Sequence, residues 1–540
     1  MRARDLDRLA AEAYDVVIIG GGVHGLATAY DGASRGLRTA LVEAQDFGSG
    51  TSFNHQKTIH GGLRLLQTGR IDRARASILE RRAFARIAPW LLRPQPFIVG
   101  TYRSITRGRT VLRAAFRVDR WLGRRRNEGV EPELHLPAAR LVSKAATLRL
   151  FPGVRQEGLT GGAQWYDYQM VEADRLTFAF ASAADRAGAN LVNYVEAVGV
   201  VRDAGRVAGV RVRDVLTGAT TELRTRAVVN AAGARAGDVM ALFGITRPFP
   251  LLKAMSLVTS KRASDMALAA PASDGRMLTL VPWRGCALVG TSQSASPVAA
   301  DDITVSAAEV DQFIATVNRT FPQLQISASD VTLVHRGLLP AVVDSQGRPQ
   351  LRSESSILNH ANEGAAGAFT IFGAKYTMAR RVAERTTNAI ARATGKRVPA
   401  SRTATTVLPG AGIADHEALA IETARGVGLE LPLATIRHLN GRYAERAADI
   451  IRIIHARPEL LAPVDSARPT LQAEIVYTIQ HEMAIRLTDV VIRRTGLGAA
   501  GHPGPQAIEA CAALAARELG WDDDRRRQEV DAVNDFYRIR

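Results

Sequence analysis

Gly20, Gly22 and Gly25 occupy the three glycine positions of a G-x-G-x-x-G turn, and Glu43 follows at the end of the next apolar run. This spacing serves pyrophosphate binding. The first glycine permits a tight bend from strand into helix. The second lets the phosphates approach backbone N–H groups at the helix N-terminus, and the third allows the helix to pack closely on the strand. A carboxylate at position 43 accepts hydrogen bonds from ribose hydroxyls. The turn alone does not separate a flavin from a nicotinamide dinucleotide.

The elements that must hold this turn are legible around it. Residues 14–19 read as a buried strand and residues 37–43 as a second. Between them Ala27, Ala29 and Ala33 suit a helix pressed on a sheet, with Gly36 as its stop. The result is a βαβ unit over residues 14–43. Two later runs carry small residues where a strand passes a bound ring system: residues 227–233, ending at Gly233, and residues 369–377, with Gly373, Lys375 and Thr377. The second leads into a helix whose positive N-terminal dipole suits negative charge on a reduced flavin. Taken alone, either run reads more simply as a plain strand–turn–helix. Residues 278–283 and 286–290 form a hairpin turning on Arg284-Gly285, with residues 253–260 as an antiparallel neighbour. From about residue 400 only helical patterns remain, one of them carrying Ile475, Val476, Ile479, Met483, Leu487 and Val490 on a single face until Gly496.

The chain has 540 residues, 46% of them hydrophobic and 23% charged, an ordinary balance for a chain with a buried core. Two distant cysteines, Cys286 and Cys511, provide no disulfide framework and no zinc knuckle, which fits a reducing compartment. No metal site is expected. Asp5, Asp7 and Glu12 interrupt any leader-like apolar region, and no apolar stretch is long enough to span a bilayer. The expectation is a cytoplasmic protein, soluble or peripheral on the inner face of the cytoplasmic membrane. The net charge of +17 draws anionic partners. Residues 103–126 hold nine Arg against Asp119, interleaved with Leu112, Ala115, Phe116, Trp121 and Leu122. That is the pattern of a basic amphipathic helix on an anionic membrane, and equally of a solvated helix packed on the core. No aromatic-interleaved basic motif marks a nucleic-acid binder, and none is expected.

Other segments carry a family resemblance. Thr51-Ser52 with residues 57–64 (Lys-Thr-Ile-His-Gly-Gly-Leu-Arg) resembles a motif of FAD-dependent glycerol-3-phosphate dehydrogenases. So do Tyr166-Asp167, residues 172–176, residues 229–233, Val281-Pro282-Trp283, Gly290-Thr291, residues 372–375 with Thr377 and Arg380, and Leu408-Pro409-Gly410. Residues 480–484 and Arg493-Arg494-Thr495 resemble the family's C-terminal helical domain. The likeness runs in order along nearly the whole chain.

The resemblance implies an α/β fold: a Rossmann-like FAD-binding domain interleaved with an antiparallel-sheet substrate domain over residues 1–400, and an all-α domain over 401–540. It implies FAD, with Gly20, Gly22, Gly25, Glu43, Thr51, Ser52, Lys57, Gly233, Gly373, Lys375 and Thr377 on the cofactor side. The implied reaction oxidises sn-glycerol 3-phosphate to dihydroxyacetone phosphate and passes electrons to a quinone-type acceptor. Arg64, Arg352 and Lys375 match cationic substrate-side positions, and guanidinium suits a phosphate. His60 is either a base or a hydrogen-bonded packing residue beside the flavin. Departures are equally specific. Phe53-Asn54-His55-Gln56 replaces small Ser/Ala residues, Leu339 stands where the family has a substrate-contacting Arg, Gln293 replaces an Asp and Leu65 a Tyr. Arg336 or His335 is the expected compensation for Leu339. The alternative is a related flavin enzyme acting on another 2-hydroxy or amino compound.

Overall fold

A computed structural model describes the chain except for residues 2–3, 64, 66–68, 104–107, 411–415 and 467. Arg64 therefore lies outside the described residues.

A six-stranded sheet runs in the order Ser356–Asn359, Ala368–Phe372, Val228–Asn230, Val16–Ile19, Thr39–Glu43, Asn190–Asn193, parallel except for the first strand at one edge. Its central strand Val16–Ile19 is a continuous, fully buried aliphatic run, as two covered faces require. The helix Val23–Ser34 lies on one of them, with Leu26, Ala27 and Ala29 buried against the sheet. Residues 14–19 do not form one strand. Ala13–Tyr14 pairs with Thr220–Thr225 in a separate four-stranded sheet, whereas Val16–Ile19 joins the parallel one. Asp15 stands at the break, where its carboxylate accepts from Arg38 N at 2.9 Å and pairs with Lys396 Nζ at 2.5 Å.

A large mixed sheet supplies the opposite wall of the interior. Its central strands Val331–Val343, Leu251–Thr259, Cys286–Gln293 and Met277–Trp283 are antiparallel neighbours. The hairpin turns at Arg284 and Gly285, both with positive φ (52° and 78°). Those values suit a two-residue turn whose twist matches its strands. Leu92–Tyr102 and Leu159–Met170 continue the sheet.

The helix within residues 103–126 spans Arg109–Leu122. Its apolar face is not free: Leu112 and Phe116 pack with Ala139 and Ala163, next to Leu63, Val99, Leu141 and Trp165. Arg113, Arg117 and Arg120 face outward, and Trp121 is 60% exposed. Among the described residues, no helix is long and apolar enough to cross a membrane.

Beyond Thr394 every named element is helical. The single face expected to run through to Val490 is broken. The helix Gln472–His481 ends, Met483 takes a φ of 53°, and a π-helical turn follows at Asp489–Arg494. Buried charge explains the break. Glu482 is held by both Nη atoms of Arg175 (2.6 and 2.8 Å), and Asp489 Oδ2 accepts from Ile485 N and Arg486 N, each at 2.9 Å. The wider π turn lets Arg493 and Arg494 both reach Asp46, with Nε and Nη2 at 2.6 and 2.7 Å. Burial alone would raise the Asp46 carboxyl, but the two guanidiniums outweigh it and hold it below the usual carboxylate range. The helical region is thus locked to the loop that follows Glu43.

Candidate functional site

The cavity between the two sheets has a volume of about 2930 Å³ and is lined by residues of both. At one end sits the glycine turn. A Cβ on Gly20, whose φ is +111°, would lie 2.6 Å from Ala231 O, and one on Gly25 would collide with Gly20 O. Both positions therefore require glycine for the chain's own packing. Gly22 differs, because a Cβ there would meet only Ser52 Oγ at 3.2 Å. The space in front of Gly22 is left for something else, which fits a pyrophosphate seated at this turn. Glu43 accepts from Gly21 N at 2.5 Å and Gln45 N at 2.8 Å, so its carboxylate is oriented at the cavity edge, where burial raises its pKa. Ser52 Oγ accepts from Val23 N at 2.9 Å, and Thr51 Oγ1 donates to Leu338 O at 3.1 Å, tying the following loop to both sheets. Gly233 (φ +59°) and Gly373 line the same cavity, and a Cβ on Gly373 would come within 2.6 Å of the His24 ring.

Lys57 does not join this set. With a φ of 52° it turns inward, is fully buried, and donates from Nζ to Phe53 O at 2.6 Å between the Phe53 and Trp283 rings. Burial pushes its pKa down to about 8. It is a core cation behind the wall.

Toward the mixed sheet, His60 presents a half-exposed ring to the cavity while Nδ1 lies 3.4 Å from Asp167 Oδ2. Asp167 is buried and also accepts from Gly61 N (2.7 Å), Arg81 Nη1 (2.6 Å) and Trp165 Nε1 (3.2 Å). Burial opposes its ionisation, but the bonds from His60 and the Arg81 charge keep its carboxyl below the ordinary range. Thr377 Oγ1 accepts from His60 N at 3.2 Å, which draws the turn before the helix Ala379–Thr394 onto the same point. Arg352 lies at the cavity wall, its Nη1 donating to Ser356 Oγ at 3.1 Å and its guanidinium over Phe372 at 5.3 Å. Among the described residues it has no carboxylate partner within 4 Å. Lys375 is exposed at the same cavity. Asp167, Arg81 and Trp165 had no assigned role in the sequence. Only the segment Tyr166-Asp167 was singled out, because nothing in spacing shows that residue 167 meets residue 60.

The expected substitutes for the missing guanidinium do not serve. Arg336 donates to Phe536 O at 3.1 Å and does not line the cavity. His335 does line it, but burial depresses its pKa well below the ordinary imidazole value, so it carries no charge there. Leu339 itself forms part of the wall.

A parallel dinucleotide sheet and an antiparallel-rich sheet sharing one cavity define a dinucleotide-binding protein with a second, substrate-side sheet. Comparison with known proteins narrows this. Residues 15–389 match the family described as FAD dependent oxidoreductase, and residues 401–526 match the C-terminal domain of alpha-glycerophosphate oxidase. A glycerol-3-phosphate dehydrogenase of Mycobacterium leprae is 31% identical over 99% of this chain and 89% of its own. One from Synechocystis is 29% identical over 99% and 98%. The crystal structure of the glycerol-3-phosphate dehydrogenase from Bacillus halodurans complexed with FAD superposes with a TM-score of 0.75 at 23% identity, covering 98% of this chain and 96% of that one. The chain belongs to the FAD-dependent oxidoreductase family, and within it to the glycerol-3-phosphate dehydrogenases with a helical C-terminal domain. Its cofactor is FAD.

Proposed function

We propose that the protein oxidises sn-glycerol 3-phosphate to dihydroxyacetone phosphate, with electrons passing from FAD to a quinone-type acceptor. The observation that carries this reading is one cavity holding the glycine turn, the His60–Asp167 pair and the Arg352 guanidinium. Bound FAD supplies the hydride acceptor for the substrate C2–H. The chain supplies the rest. His60 Nδ1–H faces Asp167, leaving Nε2 as the acceptor for the hydroxyl proton, and Asp167 stabilises the imidazolium that forms. Arg352, Lys375 and Arg64 hold the phosphate, with Arg352 fixed in advance by Ser356 and Phe372. Gly22, Glu43, Ser52 and Gly233 hold the dinucleotide, while Gly25 keeps the helix packed on the turn. The division of the chain into a core over residues 1–400 and a helical unit over 401–540 belongs to the same reading, supported by the purely helical elements beyond Thr394.

Anaerobic stopped-flow reduction of the flavin tests the site. Arg352→Ala is expected to lower kcat/KM for glycerol 3-phosphate by ten- to a hundredfold, the ~1.5–3 kcal/mol of a hydrogen bond to a charged group. Leu339→Arg is expected to lower KM by a similar factor. A Leu339→Arg variant with unchanged KM, beside an Arg352→Ala variant with unchanged kcat/KM, removes the phosphate from this end of the cavity. Leu339 favours the second reading, a related flavin dehydrogenase for another 2-hydroxy or amino compound.

A peripheral position at the inner face of the cytoplasmic membrane is also proposed. Its support is the outward row Arg113, Arg117 and Arg120 beside exposed Trp121. Binding to anionic vesicles that survives neutralising those three residues rules out this helix as the contact, and absence of binding by the wild-type protein contradicts the membrane position.

A further inference from the structure

Asp167 Oδ2 faces both His60 Nδ1, at 3.4 Å, and Trp165 Nε1, at 3.2 Å. One carboxylate oxygen thus fixes the proposed base and an aromatic wall in register. Trp165 stacks on Phe97 with centroids 5.3 Å apart, and Phe97 lies 6.3 Å from the His60 ring. From there the cavity lining continues through Val99, Leu63, Leu112 and Phe116, beneath the helix Arg109–Leu122. Trp165, Val99 and Leu63 are only half-buried, with apolar surface left open to the cavity. A triol phosphate has no apolar surface to set against such a wall. An amphiphile does.

We infer that the substrate range extends to glycerol 3-phosphate bearing an apolar substituent at C1, an acyl or alkyl chain lying along the Phe97–Trp165–Phe116 wall. The inference rests on the polyol-phosphate reading and deepens it. Three features favour this occupant. Arg352 still provides a cation for the phosphate, while Leu339 adds an apolar side chain to the cavity lining. The roof of the subsite is the helix whose outer face carries Arg113, Arg117 and Arg120, suited to the anionic surface in which such amphiphiles reside. The reaction balances as for the parent substrate. The C2–H bond breaks with its electron pair passing to the flavin, the hydroxyl proton goes to His60, C2=O forms, and the C1 ester stays intact.

The test is anaerobic flavin bleaching of the wild-type holoprotein by glycerol 3-phosphate and its 1-butanoyl and 1-hexanoyl esters. Per-methylene burial against the wall is expected to raise kcat/KM by about fourfold per CH2. Phe116→Gln is expected to flatten that series, lowering the hexanoyl value at least tenfold more than the glycerol 3-phosphate value. Bleaching by glycerol 3-phosphate with a flat or falling ester series overturns the inference and leaves the parent reading intact. Failure of every phosphorylated substrate overturns both. If Phe116→Gln alters only reoxidation by a soluble short-chain quinone, the wall serves the electron acceptor and the inference is wrong. The wild-type series decides the matter even where the variant fails to fold.

Discussion

Gly25→Ala is expected to abolish the folded holoprotein, while Gly22→Val yields a folded protein that has lost its flavin. The two glycines lie in one turn but face different obstacles. A methyl on Gly25 collides with the carbonyl of Gly20, so strand and helix must separate. That separation costs at least the ~1–3 kcal/mol of an overpacked core, in the βαβ unit whose strands pair with Val228–Asn230 on one side and Asn190–Asn193 on the other. A side chain on Gly22 meets nothing nearer than Ser52 Oγ at 3.2 Å, so the apoprotein tolerates it. The group excluded is the pyrophosphate. Thermal melting and the flavin absorbance of the purified variants separate the outcomes. A yellow Gly22→Val protein, or a Gly25→Ala protein with wild-type stability and flavin content, refutes the assignment of this turn.

Stability is also expected to fall steeply as pH drops below about 6.5. His24, His55 and His335 all line the cavity, and burial lowers each imidazole, His24 to about 4 and the other two well below the ordinary 6.5. In the unfolded chain all three take up protons near 6.5, while in the folded chain they remain neutral. The unfolded state therefore binds more protons below 6.5, and stability is lost as the pH falls toward the folded values. Each group contributes about 1.4 kcal/mol per pH unit in that window, up to ~4 kcal/mol per unit together. Lys57 does not add to the effect, because its pKa of about 8 confines its contribution to higher pH. Chemical denaturation at several pH values between about 7 and 5 reads the slope directly. His335→Phe, which keeps the contacts with Phe53 and Trp283, is expected to remove about a third of it. A stability independent of pH across this range contradicts the buried neutral assignment.

What the sequence revealed was local. The glycine turn, Glu43 at the end of its strand and the Arg284-Gly285 hairpin depend on neighbours within a few residues, so type and spacing determine them. What it concealed depends on distant partners. The amphipathic pattern of residues 109–122 tells that one face is apolar but not what covers it, and the cover is the protein's own sheet. The break after His481 is imposed by Arg175 and by Asp46, more than three hundred residues away in the chain. The motif containing Lys57 carried no sign that its backbone turns to positive φ and takes the cation out of the cavity. His60 and Asp167 are 107 residues apart, and the pairing of Thr58–Ile59 with Leu159–Met170 brings them together.

The His60–Arg352 cavity is proposed to oxidise a phosphorylated polyol. Anaerobic mixing of the holoprotein with glycerol 3-phosphate, glycerol, a 2-hydroxy acid and an amino acid tests it most directly, with flavin absorbance and product followed together. Glycerol 3-phosphate is expected to bleach the flavin fastest and to yield one dihydroxyacetone phosphate per flavin reduced. Faster bleaching by glycerol, the hydroxy acid or the amino acid contradicts it.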